Sequence, residues 1–180
     1  MTRLKLLFLL FTMIFWVGCI TSRTSVQGHN PGEAEQREFD YEKYHPSKLI
    51  DVTKEYDKVI DGDLKNVPRG NAFILIEALS RAMRVKAAFS NEFRIPSEEH
   101  ITVVKAWLKA LNRENYLDLF RHEVKVREDN IEYWLPIQEQ LIPFLQKEIH
   151  PGEIAEFYIV YFGANNFNHV FVINEFRKIQ

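Results

Sequence analysis

Residues 153–162, EIAEFYIVYF, limit the possible folds more than any other stretch of the chain. Side chains alternate between the two faces of a strand. Tyr158, Val160 and Phe162 therefore share one face, and Phe157, Ile159 and Tyr161 the other. A strand that is apolar on both faces must be central, or covered on each side. Residues 169–176, HVFVINEF, form a second strand, joined to the first by the hairpin loop GANNFN. Upstream, residues 122–129 and 130–138 alternate on either side of Asp129-Asn130, a turn signal, and predict another hairpin.

The first half of the chain carries a different period. Leu49, Val52, Tyr56, Val59 and Ile60 recur at helical spacing behind Pro46-Ser47. In residues 71–89, Phe73, Ile76, Leu79, Ala82, Met83 and Phe89 predict a second and stronger helix. Ser97 is suited to cap a third, with Glu98 and Glu99 in its first turn. Shorter helices are expected after Asn112 and from Pro143, which fits a first helical turn. The expected fold is α+β, with N-terminal helices followed by a four-stranded, mostly antiparallel sheet. A partly closed small barrel is the alternative for the C-terminal half.

The N-terminus reads MTRLKLLFLLFTMIFWVGCI. Arg3 and Lys5 precede the apolar run Leu6–Val17, and Gly18 precedes Cys19. This is the layout of a secretory signal. Trp16-Val17-Gly18-Cys19 resembles the lipobox of bacterial lipoproteins, departing from it at Trp16, where leucine is commonest. The resemblance covers residues 1–20 only. It implies a signal peptide over 1–18, cleavage before Cys19, and covalent diacylglycerol plus an acyl chain on that cysteine. Residues 19–47, rich in Ser, Thr, Gly, Pro and charge, then read as a flexible tether. A single α+β domain is expected over 48–180. The implied location is the cell envelope, lipid-anchored to a membrane, with the outer membrane ahead of the inner because Ile20 is not an aspartate.

Composition removes several function classes. The net charge is −2; without Arg3 and Lys5 it becomes 21 − 25 = −4. An acidic chain has no electrostatic case for nucleic acid. Cys19 is the only cysteine, so once it is lipidated no thiol remains for a disulfide, a zinc site or a nucleophile. Asp57, Asp61 and Asp63 surround Gly62, but Val59 stands where a calcium loop needs an oxygen ligand, and a helix-ending turn is the preferred reading. No metal and no separate cofactor is expected. His122 and Glu123, adjacent on a strand, point to opposite faces and are read as surface residues. Asn165, Asn166, Asn168 and His169 cluster at the predicted hairpin tip within reach of Tyr161 and Glu175, the one polar group to inspect as a binding site. A tight hairpin loop requires the same residue types, and the turn is the preferred reading. Trp107, Tyr133, Trp134, Phe157, Tyr158, Tyr161, Phe162, Phe167 and Phe171 are many aromatics for one small domain. Most must be core, and any that face outward on the sheet would suit an envelope protein or a glycan. The expected function is a non-enzymatic binding or structural domain. The competing reading is a lipid-anchored hydrolase using His169 and Glu175.

Overall fold

The two-faced strand is central in the computed structural model, which describes residues 39–63, 73–77, 79 and 81–179. The strands in chain order are β1 (His45–Pro46), β2 (Ile74–Ile76), β3 (Ala82–Arg94), β4 (His122–Glu128), β5 (Ile131–Ile137), β6 (Ile154–Asn165) and β7 (Asn168–Lys178). The helices are α1 (Leu49–Asp63), α2 (Glu98–Ala110) and α3 (Ile142–Glu148), with short 3₁₀ turns at Glu114–Leu119 and Glu139–Leu141. The sheet order is β1-β3-β4-β5-β7-β6-β2, and β3 also pairs with β6. That last pairing closes β3, β4, β5, β7 and β6 into a five-stranded barrel, with β1 and β2 as short additions at its edges.

The expected arrangement of helices first and then a four-stranded sheet is overturned. The decisive segment is 71–89, expected as the strongest helix, which instead supplies β2 and most of β3. In β3, Met83, Val85, Ala87 and Phe89 are buried, while Arg84 and Lys86 on alternate positions point away. This is a two-residue period hidden beneath a helical one. Ala, Met, Lys and Arg all favour helices locally, but the barrel offers two strand partners and tertiary context overrides that preference. β3 is shared between them. Ala82–Ala88 pairs with β6, and from Ala88 to Arg94 the strand pairs with β4. The change of partner comes with a bulge between Phe89 and Phe93, where Asn91 has φ +60°.

The other elements form close to where patterning puts them. Ser97 caps α2 by accepting from the His100 backbone N–H at 3.2 Å. Asp129 takes φ +53° in the β4–β5 turn, and Pro143 lies in the first turn of α3. One core fills the barrel, with Phe157, Ile159, Tyr161, Phe171 and Ile173 among its largest members. Leu49 and Val52 of α1 join it, as do Leu141, Leu145 and Ile149 around α3. The second core lies outside the barrel, where Tyr158, Val160, Phe162, Val170 and Val172 meet Val103, Val104 and Leu108 of α2. Trp107 stacks on Phe162 at 3.8 Å, and Phe39 and Tyr44 pack round Tyr158. β6 is thus covered on both faces. The outer face of β3, β4 and β5 meets α2 at its first turn, where His100 reaches the buried Glu123 of β4.

Candidate functional site

The hairpin-tip residues are gathered, but around a turn. Asn166 has φ +53°, which with Phe167 makes a tight connection between Asn165 and Asn168. The Asn166 side chain accepts from the Phe73 backbone N–H at 3.3 Å, and the Asn166 N–H donates to the Phe73 carbonyl at 3.0 Å. Asn165 accepts from the Asn166 side-chain amide at 3.3 Å, and Asn168 is exposed. Asn166 therefore ties the residue that leads into β2 to the hairpin. Phe167 is 53% exposed, edge-on to Phe73.

His169 and Tyr161 do meet. The Tyr161 hydroxyl is 2.9 Å from His169 Nδ1, and His169 Nε2 is 2.8 Å from an Asp57 oxygen. Burial, followed by the neighbouring Tyr56, Glu77 and Asp57, holds the Tyr161 hydroxyl far above the usual tyrosine range. With the Tyr161 hydroxyl donating to Nδ1, the ring tautomer that carries its proton on Nε2 satisfies both contacts, donating to Asp57. Tyr56 packs on Tyr161 with centroids 4.2 Å apart, and its hydroxyl donates to Glu77. This chain ties α1 to the end of the barrel. Both nitrogens of His169 are occupied and its side chain is 4% exposed, so it has no lone pair to offer a substrate. Tyr161→Phe should cost about 1–2 kcal/mol in urea denaturation, because it strands a buried acceptor. A loss below about 0.5 kcal/mol would show that water replaces the hydroxyl there.

His169 and Glu175 are not brought together. They face Ala164 and Tyr158 of β6, six positions apart along β7 and about 20 Å by strand rise.

A second polar cluster was not visible in the sequence. Glu123 is fully buried at 0% exposure on the outer side of β4. One oxygen accepts from Arg94 Nε, and the other lies 2.6 Å from His100 Nδ1. Burial alone would raise the Glu123 pKa. The hydrogen bond and charge of His100, then those of Arg94, outweigh it and hold the carboxyl below its usual range. Arg94 lies over Trp134, with its guanidinium carbon 4.1 Å from the ring centroid, and Lys125 Nζ is 5.6 Å from the same centroid. Lys125 is held in turn by Glu92 at 2.7 Å and Glu132 at 3.6 Å. His122 diverges from Glu123 as strand alternation requires and pairs with Glu139 instead. Local spacing carried no signal for this cluster, since Arg94, His100 and Glu123 come from a strand end, a helix start and a different strand.

Among the described residues, no group of three or more His, Cys, Asp or Glu side chains is placed to hold a metal, and no helix is long and apolar enough to cross a membrane. Asp57 points to His169, and α1 continues through Asp63. Cys19 and the rest of residues 1–38 lie outside the described residues. No known protein family, curated protein or solved structure matches this chain.

Proposed function

We propose that this chain is a bacterial envelope lipoprotein, held to a membrane by diacylglycerol and an acyl chain on Cys19, whose barrel is a non-enzymatic binding domain. The outer membrane is the favoured site, and a glycan or an envelope protein the partner. The observation that carries the binding reading is the outer face of β3, β4 and β5. It presents Trp134 between Arg94 and Lys125 beside the first turn of α2, while the outer face of β6 and β7 is packed under the body of that helix. Counting barrel strands in chain order, the ring runs first-second-third-fifth-fourth. This is the order of the OB-type Greek-key barrel, which binds oligonucleotides and oligosaccharides on its second and third strands. In this chain those strands are β4 and β5. The analogy is one of fold alone, and the chain's acidic balance favours the saccharide side of it. The hydrolase reading finds no support in His169 and Glu175, which stand apart with His169 already engaged.

Two measurements test the proposal. Palmitate label should enter the wild-type chain and not Cys19→Ala, with loss of about two kilodaltons of signal peptide. An unlabelled chain with an intact N-terminus would defeat the anchor. The chain should also co-sediment with isolated bacterial cell-wall glycan, and Trp134→Ala should reduce this about tenfold, the equivalent of one stacking contact. Retention unaffected by Trp134→Ala would move the contact to another surface.

A further inference from the structure

The cluster around Glu123 is complete on its buried side and unfinished on its outer side. Arg94 reaches the carboxylate through Nε, and among the described residues its two Nη groups have no partner. The Arg94 side chain is 43% exposed, so those donors meet solvent. His100 gives Nδ1 to the other carboxylate oxygen. Its Nε2 has no partner among the described residues and is not a buried orphan, and the side chain is 15% exposed. Two nitrogen groups thus hang from one buried carboxylate, and each has an unused, outward side.

The arrangement fixes both groups before any ligand arrives. A guanidinium bound through Nε keeps its Nη1–Nη2 edge, the flat fork that matches an oxyanion with two parallel hydrogen bonds. Trp134 supports that guanidinium on its face and Glu123 on its inner edge, so little rotamer entropy is left to lose on binding. His100 sits in the first turn of α2, capped by Ser97, which fixes its backbone as well.

We propose that Arg94 and His100 form a site for an oxyanion, a carboxylate or a phosphoryl group, with Glu123 as the positioning residue behind both. The proposal rests on the reading of the β3–β4–β5 face as the contact surface and names the ligand chemistry it takes. Arg94 supplies the forked contact, His100 Nε2 a single one, and Trp134 a floor for whatever carries the anion.

The test uses the full chain in a non-ionic detergent, titrated at constant ionic strength with inorganic phosphate and, separately, with acetate. The ring resonances of His100 and the indole N–H resonance of Trp134 report binding. A saturable change at both groups with either anion is expected, and the anion that produces it tells phosphoryl from carboxylate. Arg94→Lys keeps a cation opposite Glu123 but loses the fork, and should weaken binding about tenfold. His100→Gln, which leaves Arg94 and its acceptor Glu123 both in place, should weaken it by a smaller factor. No saturable change with either anion, or one that both variants leave untouched, overturns the site. The glycan experiment fails or succeeds separately. Anion binding without glycan retention removes the glycan and keeps the site, and glycan retention without anion binding does the reverse.

Discussion

Gly163→Ala should unseat β2 and cost about 3 kcal/mol or more, whereas a methyl at Gly62 or Gly152 meets open space. Gly163 has φ +142°, a conformation that a side chain disfavours. A Cβ built there would lie 2.0 Å from the Leu75 carbonyl oxygen and 2.9 Å from its carbon. Both are backbone atoms, so no side-chain rotation relieves the clash. Ile76 pairs with Gly163 across the β2–β6 ladder, and the Glu77 N–H donates to the Phe162 carbonyl at 3.0 Å. Pushing β2 off would also release Glu77, which accepts from Tyr56 and, through its carbonyl, from Trp107 at 3.1 Å. The expected signature is a lower urea midpoint with fast amide exchange over residues 74–77. A variant within about 0.5 kcal/mol of wild type would mean that β2 adds nothing to the barrel.

Glu123→Ala should cost about 3 kcal/mol, since it leaves Arg94 Nε and His100 Nδ1 without their acceptor and opens a hole beneath them. The pH dependence has a definite sign. The folded pKa of Glu123 lies below its ordinary value, so its contribution is present above the unfolded pKa of about 4.3. It is lost as pH falls through the lower, folded pKa. Denaturation midpoints of the wild type should therefore drop below about pH 4. Glu123→Gln, which cannot titrate, should be less stable at pH 7 and show a flatter fall in acid. Parallel acid limbs for the two proteins would assign the acid sensitivity to other carboxylates, with Glu156 the next to examine because its pKa is also lowered.

Hairpins and caps were legible in the sequence because their determinants are local. Asp129-Asn130 turned the chain, Ser97 capped α2 and the alternation in β6 put its two faces in two cores. A small barrel was legible only as an alternative for the C-terminal half, and its closure through β3 was not. It depends on β3, whose helix-favouring composition masks alternation at Met83, Val85, Ala87 and Phe89, and on pairing with β6 far along the chain. The site divides in the same way. Tyr161 and His169 meet diagonally across one hairpin, so their approach could be anticipated, but their partner Asp57 is supplied by α1. Arg94, His100 and Glu123 share no local frame, and only the turn from β3 into α2 and back to β4 brings them together.

The pairing of β3 with β6 also sets a timetable. Ala82 meets Val160 and Ala88 meets Ile154, separations of 78 and 66 residues. At about 5–20 residues per second, the end of β6 leaves the ribosome roughly 4–17 s after the start of β3. The β4–β5 hairpin can form within microseconds and occupy one edge of β3. The other edge waits, with Val85, Ala87 and Phe89 on the side that will later be barrel interior. An unpaired apolar edge of that kind invites association with other chains. Arg84 and Lys86, which alternate with those residues, place charge on the waiting strand, and they act as gatekeepers while the nascent chain is still growing.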